Sequence, residues 1–238
     1  MLLSNVISTL NEARGFGAVA SALNSASAFL TRRCMLEFEF GDALFRIFPT
    51  EVEAYCHNPY FPDPYTHCHD AQRHNYGRLY FHGAGMDLCL SDNDAYLSFL
   101  IRSAYVYRNG SNVLADDLPV VGPIRLREAV FDRLSVAQLR QHPIAASMVL
   151  READDAISPD RFYTMIATRV GLVQHTDPRF AQLRLRTISD STMRKRDYRP
   201  KEELLDSYLE IVRLTPEQRY QVARRLMDRC PSKYMLKK

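Results

Sequence analysis

A chain of 238 residues that is 46% hydrophobic can bury a full core, and it reads as one domain with an appendage. Its net charge of +3, from 31 Lys and Arg against 28 Asp and Glu, neither demands nor excludes a polyanionic partner. No apolar run approaches the roughly 20 residues of a membrane helix. Residues 1–14 lack a charged start, an apolar centre and a small-residue cleavage site, so a cytoplasmic location without membrane association is expected. Five cysteines (Cys34, Cys56, Cys68, Cys89, Cys230) are an odd number, too sparse for a disulfide framework, and fit a reducing compartment.

In chain order, Phe16, Val19, Ala20, Leu23, Ala26, Phe29 and Leu30 recur at helical spacing and predict a helix over 16–31. Residues 35–40 and 43–48 alternate apolar and polar side chains about Gly41-Asp42 and predict a hairpin. Strands are expected at 78–82, 86–90 and 95–107, the last ended by Asn109-Gly110. Helices are expected at 122–132 and 135–142, the second opened by the capping box Ser135-x-x-Gln138. Two further strands are read at 162–172 and 181–189. After Pro200 the composition turns to two charged amphipathic helices, the second opened at Thr215 by Thr-Pro-Glu-Gln. There is no internal repeat and no low-complexity segment. The expected architecture is a mixed α/β (α+β) single domain over 1–199, a largely antiparallel sheet flanked by helices, with a helical extension over 200–238.

Five of the seven histidines (His57, His67, His69, His74, His82) fall between residues 57 and 82, close to Glu51-Val52-Glu53-Ala54-Tyr55. Carboxylate, aromatic rings and imidazoles are concentrated in one short segment. With Glu53 read at a strand end and Tyr55 two residues on, both side chains share a strand face. The carboxylate can then hold a water near a flat substrate stacked on the ring. His67 and His82 add flat rings to the same neighbourhood. Hydrolysis of a glycosidic bond needs little more than a carboxylate that activates water and stabilises an oxocarbenium-like sugar. Taken singly, a strand-edge Glu is most often a solvated surface residue and a Tyr most often packs in the core.

Several fragments recur together. They are Ala26-x-Ala28-Phe29-Leu30, Glu51-Val52-Glu53-Ala54-Tyr55, Asp63-x-x-x-His67, Gly77-x-Leu79-Tyr80, Gly85-Met86-x-x-Cys89-Leu90, Leu100-Ile101-Arg102-Ser103-Ala104, Gly122-Pro123-x-x-Leu126 and Arg169-Val170-Gly171. In order and rough spacing, over about residues 22–190, the chain resembles the methylpurine-DNA glycosylase (alkyladenine-DNA glycosylase) family. The resemblance implies an enzyme of base-excision repair. Such an enzyme flips an alkylated purine such as 3-methyladenine out of DNA and hydrolyses its N-glycosidic bond as a monomer, with no cofactor, no metal and no covalent intermediate. It further implies that Glu53 is the general base and that Arg102 orients the water and a nearby phosphate. Tyr55 would be one stacking ring and His67 the histidine beside the flipped base. His82 stands where the family usually has a second stacking tyrosine, and Ser91 where an asparagine closes the pocket floor.

The chain also departs from that pattern. The loop that in the family carries an aromatic or bulky wedge into the helix reads His82-Gly83-Ala84-Gly85, one residue shorter and without a large side chain. Cys56-His57-Asn58-Pro59-Tyr60-Phe61-Pro62 is longer than the usual link, and Tyr60 or Phe61 is the candidate if another side chain supplies the wedge. The DNA-contacting residues expected are Gly83 and Ala84 of the loop and the basic cluster Arg184, Arg186, Arg194, Lys195 and Arg196, which Arg199 and Lys201 continue. A further basic group is Arg219, Arg224, Arg225 and Arg229. The same residues, interleaved with Asp190, Asp197 and Asp228, also read as a solvated face. Two alternatives stay open: a non-catalytic nucleic-acid-binding module on the same scaffold, and a zinc-dependent hydrolase using Cys56, His57, Cys68, His69 and His74.

Overall fold

A computed structural model of the chain describes residues 3–114, 118–132, 134–141, 144–150, 163–172, 176–193, 195, 198, 201–227 and 230–235. The helices are α1 (Leu3–Glu12), α2 (Phe16–Arg33), α3 (Pro123–Phe131), α4 (Val136–Gln141), α5 (Pro178–Ala181), α6 (Asp190–Met193), α7 (Glu202–Ile211) and α8 (Pro216–Leu226). The strands are β1 (Cys34–Phe40), β2 (Ala43–Asn58), β3 (Phe61–Pro62), β4 (Arg78–His82), β5 (Gly85–Cys89), β6 (Tyr96–Arg108), β7 (Ser111–Asn112), β8 (Val120–Val121), β9 (Ile144–Ala145), β10 (Ser147–Leu150), β11 (Thr164–Ala167) and β12 (Arg186–Ser189). They form one antiparallel sheet whose main path runs β10-β1-β2-β6-β5-β4-β9. The mixed α/β architecture with a largely antiparallel sheet is therefore the one the sequence predicts. Among the described residues no helix is long and apolar enough to cross a membrane.

The long strand β2 organises the sheet. One edge pairs with β6 from Phe45 to His57, and β1, β12 and β3 pair with it in turn from Ala43 to Asn58. Between Pro49 and Val52 the β2–β6 register shifts twice, leaving Thr50 on β2 and Arg102 on β6 outside the pairing. Because side chains alternate across a strand, such an irregularity reverses which set faces which side. On β2 the core takes Ala43, Phe45 and Ile47 before it but Ala54 and Cys56 after it. On β6 it takes Leu97, Phe99 and Ile101 and then Ala104 and Val106. The interruption thus turns Glu51, Glu53, Tyr55 and Arg102 away from the main core.

That core lies where α2 lays Val19, Leu23, Ala26 and Leu30 on the sheet, joined by Leu126, Val130 and Phe131 of α3. Leu79 and Phe81 of β4 and Met86 and Leu88 of β5 point into it, so Tyr80, His82 and Asp87 face the other way. Gly85, with φ +151°, starts β5 where an added Cβ would come 2.9 Å from Pro123 Cβ. The turn that holds His82 is thereby packed against the start of α3.

Some elements differ from the sequence-based expectation. The second hairpin strand runs on to Asn58, because its pattern breaks at the Pro49-Thr50 irregularity while its pairing with β6 resumes beyond it. The strand expected over 162–172 is only β11; past it Gly171 turns with φ +78°, and residue 162 lies outside the described residues. The strand expected over 181–189 begins as α5, whose N-cap is the Asp177 carboxylate, and becomes extended only at Arg186. The capping boxes at Ser135 and Thr215 form as predicted. Helix α7 is docked: Leu204 packs with Met165, Ala167, Ile188 and Met193 of the β11–β12 region, while Leu205 and Leu209 close a small core with Ala223 of α8.

Candidate functional site

On the sheet face opposite the main core, a cavity of about 340 Å³ is walled by β2, β4, β5 and β6 and roofed by the segments 64–72 and 170–172 with Thr176. Glu53, Tyr55, His67, His82, Ala84 and Arg102 all line it, as do Gln72, Asp87, Leu100 and Val170. Residues spread over 124 positions of sequence thus meet because of the parity reversal in β2 and β6.

Glu53 is fully buried, inside strand β2 and not at its end as the sequence suggested. Its Oε1 accepts the Val170 backbone N–H at 2.8 Å, and its Oε2 accepts the Tyr55 hydroxyl at 3.0 Å and Arg102 Nη1 at 3.3 Å. Glu51, on the same face, takes Arg102 Nε at 3.0 Å, Arg186 Nε at 2.8 Å and the Ser103 hydroxyl at 2.9 Å. Two carboxylates and two guanidiniums form one buried array, with Arg102 bridging both glutamates. Burial raises the Glu53 carboxyl above the ordinary 4.5 in spite of Arg102, the Val170 N–H and Arg186, and Glu51 adds to the rise. The result is a carboxylate more basic than one in water, held in a fixed orientation. Burial, with the Glu53 charge next, also raises the Tyr55 phenol well above 10, so it remains a donor to Glu53.

The roof is tied down by a second buried ion pair. Arg169 donates to both oxygens of Asp63, to Ala54 O at 3.1 Å and to Phe180 O at 3.2 Å. Its guanidinium lies over the Tyr55 ring at 4.7 Å and the Tyr65 ring at 5.6 Å. Arg169 therefore holds Val170, and through it Glu53, while covering one face of Tyr55.

On the facing wall the His82 ring is buried, stacked at 5.5 Å on Tyr80 and edge-on at 4.6 Å to His67. Its Nδ1 accepts the Ala84 N–H at 3.3 Å, which in the neutral ring leaves the proton on Nε2 to donate to Asp87 Oδ1 at 2.8 Å. Asp87 Oδ2 accepts the Ser98 hydroxyl at 2.6 Å, and Ser98 in turn accepts Gln72 Nε2 at 2.9 Å. The His67 pKa is lowered from 6.5, first by partial burial and then by the neighbouring His82.

Other expected site residues are placed elsewhere. Ser91 does not line the cavity; its hydroxyl bonds the Asn93 carbonyl at 2.9 Å in the turn after β5, and the floor is formed by Asp87. Arg186 is no surface phosphate contact: it is buried against Glu51, with Tyr198 at 3.1 Å. Arg184 is exposed and pairs with Glu203 at 2.9 Å, Lys195 lines a separate cavity with Val120 and Tyr198, and Arg194 and Arg196 lie outside the described residues. Gly83 and Ala84 form the exposed β4–β5 turn at the cavity edge. Phe61 is fully buried against Phe16 and Phe180 and cannot act as a wedge; Tyr60 is 46% exposed and lines a different cavity. The zinc reading loses its ligand set. His57 faces Asp63 O, His69 Nδ1 accepts from Ala71, His74 meets Asp94, and among the described residues no three His, Cys, Asp or Glu side chains group around a metal position.

Asp87 and Ser98 were missed as site residues because each is a single polar residue in an apolar strand, Gln72 because it stands among many polar residues, and Asp63, though part of a quoted fragment, was given no role. The signal for Asp87 was there: a lone charge inside Gly85-Met86-Asp87-Leu88-Cys89, whose apolar neighbours announce burial. No protein-family model matches the chain, and no curated protein is significantly similar to it.

The roof gives a test of its own. Asp63→Ala leaves the Arg169 guanidinium buried without its counter-charge and should cost about 3–5 kcal/mol in urea unfolding. Adding Arg169→Met should recover part of that loss. An undiminished loss in the double variant would mean that Asp63 acts through the turn at Tyr65 N, which it also caps at 3.1 Å.

Proposed function

We propose that the cavity receives an alkylated purine turned out of DNA and that Glu53 activates the water that hydrolyses its N-glycosidic bond, as in the methylpurine-DNA glycosylases the sequence resembles. The observation that carries this reading is the state of Glu53. It is a buried, basic carboxylate fixed by Tyr55, Arg102 and Val170 at the wall of a cavity that also holds the rings of Tyr55, His67 and His82. The water oxygen forms the new bond to the sugar C1′ as the bond to the base nitrogen breaks. The water's proton goes to Glu53, and the bonding electron pair leaves with the base. An alkylated, cationic purine accepts that pair without prior protonation, and the aromatic walls favour such a ring. Arg102 and Arg186, fixed on Glu51, keep the Glu53 carboxylate in place while the sugar develops positive charge.

Four fragments of the resemblance converge on this one cavity: they supply Glu53 with Tyr55, His67, Leu100 with Arg102, and Val170 with Gly171. They support the family reading independently of sequence order. One feature favours the second reading, a nucleic-acid-binding module without turnover. The Gly83-Ala84 turn offers no large side chain to fill the gap a flipped base leaves.

Glu53→Gln keeps size and most hydrogen bonds but removes the proton acceptor, so base release from methylated DNA should fall by at least about a hundredfold while DNA binding and the thermal midpoint stay near those of the unmodified protein. Release of no base by the unmodified protein would leave the binding module as the better reading. Opening a duplex costs a few kcal/mol that a protein without a wedge recovers only in part. Matched oligonucleotides carrying one alkylated purine should therefore be processed faster as single strands than as paired duplex, with Ala84→Tyr narrowing the gap. A preference for paired duplex would show that a side chain outside this turn supplies the wedge.

A further inference from the structure

Four buried carboxylates surround the cavity, and three of them have an arginine. Glu51 and Glu53 share Arg102 and Arg186, and Asp63 has Arg169. The fourth, Asp87, is 2% exposed and lines the floor, yet its ion-pair partner among the described residues is His82 alone, and its other bond is to the neutral Ser98 hydroxyl. A buried carboxylate without a fixed cation is costly, and in a ligand cavity the missing donors are supplied by what binds there.

The chemistry of the free lone pairs narrows the ligand. Oδ1 accepts one hydrogen bond from His82 Nε2 at 2.8 Å and Oδ2 one from Ser98 at 2.6 Å, so each oxygen retains a second lone pair. Both bonds also fix the carboxylate plane, since His82 is held from behind by the Ala84 N–H and Ser98 by Gln72. The floor thus presents two acceptors about 2.2 Å apart, the spacing within any carboxylate, which match two adjacent N–H donors on a flat edge. Of the purines, guanine carries that pair, the ring N1–H and the 2-amino group. Adenine has one donor beside an acceptor, and hypoxanthine has N1–H with no amino group. Alkylation at N7 makes the guanine ring cationic, which compensates the Asp87 charge and strengthens its contact with the rings of Tyr55, Tyr65 and His67.

We propose that Asp87 is the specificity-determining residue of this cavity, reading the N1–H and 2-amino edge of an N7-alkylated guanine through both carboxylate oxygens. The selection rests on the reading of the cavity as a purine site but needs no turnover. A pocket that takes cationic purines by stacking alone would treat alkylated adenine and guanine alike. With Asp87 at the floor, 7-alkylguanine is preferred, and the 2-amino group is the atom that decides.

The test is binding of free nucleosides, followed by NMR shift changes in the protein. 7-Methylguanosine, guanosine and 7-methylinosine are compared; the last is the same cation without the 2-amino group. The expected result is that 7-methylguanosine binds about tenfold or more tightly than 7-methylinosine, one charge-assisted hydrogen bond apart. Guanosine should also bind more weakly than 7-methylguanosine. Asp87→Asn and Asp87→Ala should reduce the first difference to less than about threefold. Should both variants fail to fold, the comparison of 7-methylguanosine with 7-methylinosine on the unmodified protein still decides. Equal binding of those two, a difference that survives in Asp87→Asn, or no binding of any of the three overturns the assignment. Selective binding without base release from methylated DNA leaves Asp87 in its role and removes the glycosylase reading. Base release without discrimination at the 2-amino group does the reverse.

Discussion

Two glutamates two residues apart, both taken out of water on one strand face, are the constraint around which this molecule is built. Each ionised carboxylate is tolerable in the interior only with donors in place, and Glu51 and Glu53 obtain theirs from three directions. Arg102 comes from the neighbouring strand at the very residue left out of the β-ladder, Arg186 from β12, and the Val170 N–H from the loop after β11. The β11–β12 hairpin is therefore part of the site's electrostatics. Helix α7 packs Leu204 on that hairpin. Removing either arginine would leave two buried carboxylates to share the one that remains.

The same constraint has a pH signature. A carboxyl group whose pKa is raised in the folded protein stabilises the fold most fully below its unfolded value, and that contribution is lost as pH rises through the folded value. Ionising Glu53 is thus costlier in the folded protein than in the unfolded chain, because burial outweighs Arg102, the Val170 N–H and Arg186. That is the direction required by the proton-accepting role proposed for Glu53.

Much of the molecule was legible in the chain, and the failures have a common cause. Helix α2, the Gly41-Asp42 hairpin, β4 to β6 and the capped helices follow from local periodicity and turn chemistry, which long-range packing does not overrule here. The extension of β2 to Asn58 was hidden because the alternation reverses at Pro49-Thr50, and a reversal reads as an end when only one strand is visible. The strand that begins at Arg186 is short because the preceding turn is α5. Leu183-Arg184-Leu185-Arg186 alternates like one strand face, yet Arg184 is exposed and Arg186 buried. In the site, Glu53, Tyr55, His67, His82 and Arg102 were found because they cluster in sequence fragments with a shared chemistry. The lone charge of Asp87 among apolar neighbours announces burial but not a site. Ser98 and Gln72 were not found, because a hydrogen bond from a turn to a strand has no signature in either segment. Arg186 was misassigned to the surface for the same reason: its partner Glu51 is 135 residues away.

The claim on which the proposed chemistry stands is that Glu53 is ionised, buried and more basic than an ordinary glutamate. The most direct measurement is a pH titration of the Glu53 side-chain carboxyl carbon by 13C NMR, assigned by its absence in Glu53→Gln. A midpoint above 4.5 is predicted, because burial outweighs Arg102 and Arg186. A midpoint at or below that value would mean that the arginines outweigh burial and that Glu53 is no more basic than an ordinary glutamate, and a midpoint above neutral pH would mean that it is not ionised; either contradicts the account.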